Sequence, residues 1–418
     1  MQYAPTVSLP VRPPGGVTAG LDWATDDHVV AIVDSYGQVK ARFTVPHTAA
    51  GLGELMRRLA QAGATEVAIE RGDGPVIDTL LDAAITVVVI SPNQLKNLRG
   101  RYGSAGNKDD RFDAYVLADT LRTDRARLRP LHPDAPATQA LRASVRARRD
   151  LVAHRVAVGN QLRAHLQTAF PGAVGLFTKL DSPISLAFLD RFDCQDRADW
   201  LSVKRLAAWL SSIGYSGRTD PAVLFAQLTG APRGTTGQAG AALAHTTRAF
   251  VAVLGNLVEQ IKTLTKQIGD QLAQHADAQI FTSLPRAGTV RAARLLAEIG
   301  DCRARFPDPD TLIGLAGVAP STRQSGKHKT VHFRWAVDKQ LRDAICDFAA
   351  DSRKAHPWAA QLYNQAIARG KDHPHATRIL ARAWLYVIWH CWQDNVAYNP
   401  DKHRALQRLL NQDQQAAA

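Results

Sequence analysis

The N-terminal part of the chain carries an order of secondary-structure signals that few folds can accommodate. Three segments, "VTAGLDWA" (17–24), "HVVAIVD" (28–34) and "QVKARFTVP" (38–46), are separated by short turns and predict a three-strand meander. Helix and strand patterns then alternate, with helices over 48–63 and 74–84, strands over 65–70 and 85–91, a helical turn from 92 and a helix over 108–123. The predicted order is therefore β-β-β-α-β-α-β-α.

This order is that of the ribonuclease-H fold, in which acidic residues lie on the first strand, the fourth strand and a final helix. Asp22, Glu70 and the pair Asp110 and Asp113 occupy those three positions. Carboxylates are hard ligands that can hold two Mg²⁺ ions for phosphoryl transfer. Asp22 supports such a site, because an acid inside an apolar strand is costly unless it is paired or bound to a metal.

A different interpretation of the last helix stays open. The stretch "NKDDRFDAYVLAD" (107–119) is also typical of a solvated helix start, where Asp109 and Asp110 lie favourably near the positive end of the helix dipole. Asp110 and Asp113 share one helix face, and their repulsion at an effective dielectric near 20 is about 3 kcal/mol. Solvent reduces that cost, whereas a divalent cation reverses it.

The middle of the chain predicts two long helices that flank an insert at 173–235. The first helix covers 137–170 and is ended by Pro171 and Gly172. The second covers 241–276, and its apolar residues step by four and three as in a coiled-coil seam. Those residues are Phe250, Leu254, Leu257, Ile261, Leu264 and Ile268. The two helices predict an antiparallel stalk, or arms that pair with a second copy of the protein.

The C-terminal part contains a segment over 281–301 that is typical of a helix-hairpin-helix, and a basic stretch, "STRQSGKHKTVHFR" (321–334). Ser325 precedes Gly326, so the backbone can approach a ligand closely there. Ser325 is either a nucleophile assisted by a base, a metal or cations, or a hydrogen-bond donor in a phosphate-binding loop. The candidate nucleic-acid contacts in this stretch are Arg323, Lys327, Lys329 and Arg334. Trp384, Trp389 and Trp392 fall inside an apolar helix and are predicted to be core.

Charge separates the chain into two parts. Residues 1–130 contain 15 Lys and Arg and 15 Asp and Glu, so all of the net charge of +13 lies in residues 131–418. This distribution fits a catalytic domain joined to nucleic-acid-binding parts. The four cysteines fit neither a zinc spacing nor a disulfide framework, which indicates a reducing cytoplasm. The first 18 residues show no signal core and predict a disordered leader, and no segment has the composition of a membrane helix.

Taken together, these motifs resemble the transposases of the bacterial insertion-sequence one-ten family, the bridge-RNA-guided recombinases, over residues 19–398. "GLDWA", "VAIER" and "DDRFDAYVLAD" follow the Asp-Glu-Asp-Asp (DEDD) pattern of the family's RuvC-like domain. "SLPRAGTVRAARLLAEIGD", "LIGLAGVAPSTRQSGK" and "ARGKDHPHATRILARAW" follow its serine transposase domain, whose nucleophile falls on Ser325. Lys327 stands where members often have a second glycine, and Asp109 stands where threonine or serine is common.

The resemblance implies an α/β plus α fold. A leader at 1–18 is followed by a RuvC-like domain with a mixed sheet at 19–130, a coiled-coil stalk at 131–276, a mainly helical serine transposase domain at 277–398 and a tail at 399–418. It also implies a recombinase that moves its own element. The four acids bind Mg²⁺, Ser325 forms a covalent link to DNA, and a structured guide RNA pairs with donor and target DNA. In the family, one subunit's acids join another's serine within a dimer of dimers.

Two other functions stay open. A metal-only, structure-specific DNA nuclease of the junction-resolvase kind would need the four acids and a basic surface but would give Ser325 no role. A non-catalytic nucleic-acid-binding protein would keep its binding when any of the acids is lost.

Overall fold

The computed structural model describes residues 8–103, 109–326 and 328–417, with the backbone alone for Arg323, Lys329, Val331 and 413–417. The chain divides into two compact units. One combines Met1–Ala135 with Ile299–Ala418, and the other is Pro136–Glu298. The functional boundaries expected at 130, 276 and 398 stay predictions, because this division follows compactness alone.

The N-terminal part of the first unit is a mixed five-stranded sheet with helices. Its strand order is β3-β2-β1-β4-β5, with β1 antiparallel to β2 and parallel to β4. The strands are β1 (Val17–Trp23), β2 (Asp27–Asp34), β3 (Val39–Pro46), β4 (Glu66–Ile69) and β5 (Thr86–Val89). The helices are α1 (Ala49–Gln61), α2 (Pro75–Asp82), α3 (Pro92–Arg99) and α4 (Asp110–Thr123). The predicted fold class and order of elements are confirmed.

Local sequence signals explain where these helices begin. The Thr48 side chain accepts a hydrogen bond from the Gly51 amide at the start of α1, and Ser91 forms a capping box with Gln94 at the start of α3. All four residues of β4 are buried. A parallel strand covered on both faces is typically a near-continuous apolar run, which in β4 is interrupted by the buried Glu66.

Residues 8–18 differ from the disordered leader expected for 1–18, whereas residues 1–7 lie outside the described chain. Leu9 is buried in a cluster with residues of β4, β5 and α4. The Pro10 carbonyl accepts a hydrogen bond of 2.7 Å from Arg125 Nε. Arg125 also donates two hydrogen bonds, of 2.6 and 2.7 Å, to the buried carboxylate of Glu66. This ion pair therefore fixes the N-terminal segment against the sheet.

We expect Arg125→Met to lower the free energy of unfolding by about 3–5 kcal/mol, because it leaves the Glu66 carboxylate buried without its cation. Urea unfolding followed by circular dichroism measures this loss. The double variant Arg125→Met/Glu66→Met should recover most of the stability, since two apolar side chains then replace both charges. A loss below about 1 kcal/mol in the single variant would contradict the burial of this pair.

The second unit is built on two long antiparallel helices, α5 (Pro136–Ala169) and α10 (Gly237–Gln274). Thr138 contacts His275 at one end of the pair, and His165 contacts Thr247 toward the other. Leu254, Ile261 and Ile268 of the predicted seam are buried, and the two predicted long antiparallel helices are confirmed. The remaining helices of the unit are α6 (Pro183–Arg191), α7 (Gln195–Ala198), α8 (Val203–Ser212), α9 (Pro221–Gly230), α11 (Ala278–Thr282) and α12 (Gly288–Ile299).

Among the described helices, α10 alone has the length and apolar composition that a membrane crossing requires. Core helices and stalk helices also meet this criterion, and α10 pairs with α5. Its composition is therefore weak evidence for a membrane. The helix-hairpin-helix-like element also lies in this unit, where α11 and α12 are joined by a turn in which Gly288 has a φ of 55°.

The C-terminal part of the first unit is mainly helical and contains one β-hairpin. Its elements are α13 (Pro309–Leu315), β6 (Ser321–Ser325), β7 (His328–His332), α14 (Lys339–Ser352), α15 (Pro357–Ala368), α16 (His373–Gln393) and α17 (Arg404–Ala417). Trp384, Trp389 and Trp392 of α16 are buried, as predicted. Their ring nitrogens donate hydrogen bonds of 2.9 to 3.0 Å to Ser352 Oγ and to the carbonyls of Phe306 and Gly300. These bonds provide partners for ring nitrogens that burial would otherwise leave without a hydrogen bond.

A buried histidine belongs to the same helical part. His356 Nε2 lies 2.8 Å from the Tyr398 hydroxyl, which lies 2.9 Å from His403 Nδ1. Burial, followed by the charge of His403, lowers the pKa of His356 to about 4. The folded protein therefore keeps this ring neutral at pH values where the unfolded chain protonates it.

Stability should consequently fall as the pH is lowered from about 6.5 to about 4, because over that interval the unfolded state binds the additional proton. We expect His356→Phe to weaken this dependence without abolishing it, since the pKa of His403 is also lowered by burial. Melting temperatures measured at several pH values test this. A pH profile that is identical in the variant and the parent would contradict the assignment to His356.

Candidate active site

The close approach of α4 to β1 determines where the acids lie. A Cβ atom on Gly20 would fall 2.1 Å from the Ala114 carbonyl oxygen and 2.4 Å from the Ala118 amide nitrogen, so only glycine fits there. Thr18 Oγ1 donates a 2.9 Å hydrogen bond to the Ala118 carbonyl. Moving from Thr18 to Gly20 along the strand therefore corresponds to moving from Ala118 to Ala114 on the helix. The start of α4 lies toward Asp22.

Strand periodicity places Asp22 and Glu70 on this same face of the sheet. Asp22 follows Thr18 and Gly20 at steps of two, and Glu70 follows the buried Ala68 by two residues. Leu21 of β1 pairs with Ile69 of β4, so Asp22 and Glu70 are the next residues on two neighbouring parallel strands. Such strands lie about 4.8 Å apart.

Asp113 and Arg99 form the central ion pair of the site. Arg99, the last residue of α3, donates two hydrogen bonds of 2.5 Å to the carboxylate of Asp113, a residue that is 1% exposed. The pKa of Arg99 is raised, first by this hydrogen bond and then by the negative charges of Asp113, Glu70 and Asp22. Asp113 therefore contacts the guanidinium group directly, and Glu70 and Asp22 act on it through their charges. Asp110, one helical turn before Asp113, is exposed at the start of α4.

The donor set fits a divalent cation, although the described side chains are not arranged around one. Within residues 8–103, 109–326 and 328–417, no group of three or more His, Cys, Asp or Glu residues has metal-binding geometry. Both oxygens of Asp113 bond to Arg99 instead. Carboxylates that face a common cation are the ligands that Mg²⁺ prefers. A metal ion held by Asp22, Glu70 and Asp113 would compete with the Arg99 side chain for the Asp113 oxygens.

Arg99 was not singled out in the sequence. It ends the short segment "PNQLKNLRG", where a basic residue in the last turn of a helix is ordinary. Its role depends on the distance between α3 and α4 in the fold. The sequence feature that points to such a residue is the acid on α4, because a buried carboxylate requires a cation nearby.

Ser325 lies on the hairpin formed by β6 and β7, where the sequence indicated a basic loop. It is the last residue of β6, is exposed, and pairs with His328 across the turn. Gly326 has a φ of 56°, a left-handed conformation that favours glycine. The alternation of small and charged polar residues concealed these strands, since neither face carries an apolar row.

The predicted nucleic-acid contacts fall on or beside this hairpin. Lys327 lies outside the described residues, as do the side chains of Arg323 and Lys329, whose backbones belong to β6 and β7. Arg334 follows the hairpin, and its Nε is buried without a hydrogen-bond partner among the described residues.

Comparison with known proteins matches both the N-terminal and the C-terminal parts of the chain to transposase families. The DEDD transposase family model of IS110 matches residues 19–171, and the model of the IS116/IS110/IS902 transposase family matches residues 278–364. A Streptomyces coelicolor protein, named as a transposase for the IS117 mini-circle, is 32% identical over 415 residues, which cover 96% of this chain and 98% of that protein. A 42 kDa protein of the insertion element IS900 from Mycobacterium paratuberculosis is 28% identical over 405 residues, which cover 92% and 97%.

Similarity at this level over nearly the full length of both chains establishes common descent. One family model matches the sheet that carries the acids, and the other matches the segment that carries Ser325. The chain belongs to the IS110 family of insertion-element transposases, enzymes that bind, cut and recombine DNA.

Proposed function

We propose that this transposase cuts and rejoins DNA through a nucleophilic Ser325 and a Mg²⁺ site formed by Asp22, Glu70, Asp110 and Asp113. The observation that carries the proposal is the convergence of Asp22, Glu70 and Asp113 on one cation, Arg99. Carboxylates arranged in this way on a ribonuclease-H-like sheet suit phosphoryl transfer. The exposed position of Ser325 beside Gly326 suits the approach of a DNA backbone.

Attack by Ser325 exchanges one phosphate ester for another. The bond from Ser325 Oγ to phosphorus forms while the bond from phosphorus to one deoxyribose oxygen breaks, and that oxygen takes up a proton. His328 pairs with Ser325 across the hairpin and is our candidate to accept the proton of the serine hydroxyl. A deoxyribose hydroxyl of another strand reverses the step and releases Ser325. Because the number of ester bonds is conserved, no nucleotide cofactor is needed.

The acids and Arg99 prepare the site for its metal. Bound Mg²⁺ would supply positive charge to the phosphoryl oxygens. Without the metal, Arg99 offsets the charge of Asp113 and holds that side chain in place. Asp110 is exposed and can join the set when the guanidinium leaves.

Further elements of the proposal rest on the family resemblance and on charge. A structured RNA from the element selects donor and target DNA, and subunits assemble as a dimer of dimers that joins the acids of one copy to the serine of another. The excess of basic residues after position 130 is suited to binding both nucleic acids. The protein acts in the cytoplasm.

Removal of Arg99 tests the metal site directly. We expect Arg99→Ala to bind Mn²⁺ or Mg²⁺ about tenfold more tightly than the parent when no nucleic acid is present, because the guanidinium no longer competes for Asp113. Isothermal titration calorimetry measures this change, which corresponds to about 1.4 kcal/mol. Arg101→Ala is the matched control, since Arg101 contacts Thr123 and Asp124. Weaker metal binding by Arg99→Ala would show that Arg99 positions the acids for the ion.

Trapping a covalent adduct tests the nucleophile. Protein, guide RNA, Mg²⁺ and a nicked DNA substrate should give a protein–DNA adduct that survives denaturation. We expect the adduct to disappear in Ser325→Ala and in Asp113→Asn, while both variants still bind RNA and DNA. Ser321→Ala, at the other end of β6, is the control and should keep the adduct. Cleavage and rejoining at the normal rate by Ser325→Ala would instead favour the metal-only nuclease.

A further inference from the structure

A basic cavity lies at the base of the Ser325 hairpin. It has a volume of about 540 Å³ and is formed by the segment after α13, the end of β7 and the first half of α16. Its polar lining consists of His332, Arg334, Lys371, His375, Arg378 and Arg382, with no Asp or Glu among the described lining residues. A cavity with this charge is suited to phosphate groups.

The wall of the cavity also contains an aromatic cluster that ends at the surface. Phe333 is held by two guanidinium groups, with Arg342 at 4.6 Å and Arg378 at 4.9 Å from the ring centroid. The Trp335 ring packs edge-on against Phe333 at 4.8 Å, yet the Trp335 residue is 76% exposed. An exposed tryptophan of this kind offers a flat ring to which an unpaired base can stack.

The cavity and Ser325 lie a short distance apart along the hairpin. His332 at the cavity pairs with Ser321, four residues before Ser325 on β6. At about 3.4 Å per residue this separation is about 14 Å along the strand. A strand of duplex DNA covers the same distance in about four nucleotides.

We propose that this cavity and Trp335 form a binding site for DNA that lies a few nucleotides from the phosphate attacked by Ser325. The phosphates bind to Arg334, Arg378, Arg382 and Lys371, and an unpaired base stacks on Trp335. The site rests on the proposed function, because the position of Ser325 identifies the strand as DNA. This site allows the transposase to hold the end of a DNA strand that is no longer base-paired.

Binding of short fluorescein-labelled oligonucleotides, followed by anisotropy in the Ser325→Ala background, tests the proposal without catalysis. We expect Trp335→Leu to weaken single-stranded DNA binding about tenfold and to leave the salt dependence unchanged. Arg378→Gln/Arg382→Gln should reduce the slope of log affinity against log salt by about 0.7 for each phosphate contact that is lost. Trp335 is exposed, so its replacement leaves the core intact.

The second unit provides matched controls. Trp200 is 55% exposed and stacks on Arg205 at 4.1 Å, so Trp200→Leu and Arg205→Gln change the same residue types at another surface. Both should leave DNA affinity unchanged. Equal affinities and slopes in the cavity variants and these controls would overturn the proposal. A loss confined to RNA oligonucleotides would overturn it in favour of a guide-RNA site. Neither result depends on whether Ser325 forms an adduct, so the two proposals fail separately.

Discussion

The contact between Gly20 of β1 and the backbone of α4 is the constraint on which the candidate active site depends. Helices on a sheet normally keep a layer of side chains between the two backbones. Here the absence of a side chain at Gly20 lets the Ala114 and Ala118 backbone reach the strand. That approach brings the first turn of α4 toward the carboxyl ends of β1 and β4. Asp113 then bonds to Arg99, while the charges of Asp22 and Glu70 also raise the pKa of that guanidinium.

Under the proposed function, Arg99 would give the acid cluster two electrostatic states. With the guanidinium in place, part of the negative charge is offset by a side chain that is permanently protonated and cannot perform the chemistry of a metal ion. A divalent ion in its place would supply more charge and open coordination positions. Arg99 is the last residue of α3, so only the end of that short helix would have to move for its side chain to leave Asp113.

The sequence predicted most of the fold because most of its signals were local. The meander, the alternation of helices and strands, the seam of α10 and the buried tryptophans of α16 each follow from periodicity over a few turns. The positions of Asp22, Glu70 and Asp113 followed from the order of elements. The role of Arg99 and the packing of Leu9 did not, because each depends on contacts with other elements of the fold. The hairpin that carries Ser325 is local, but it lacks the apolar alternation by which strands are normally recognised.

The antiparallel pair of α5 and α10 has a consequence for how the family can vary. The 34 residues of α5 extend about 51 Å at 1.5 Å per residue, equal to about fifteen base-pair steps of duplex DNA. One inserted residue lengthens a helix slightly but rotates everything beyond it by about 100°, which would turn the seam away from its partner. Insertions or deletions of about seven residues, made in both helices, preserve the facing surfaces. The length of the helix pair can therefore change only in discrete, phase-matched steps.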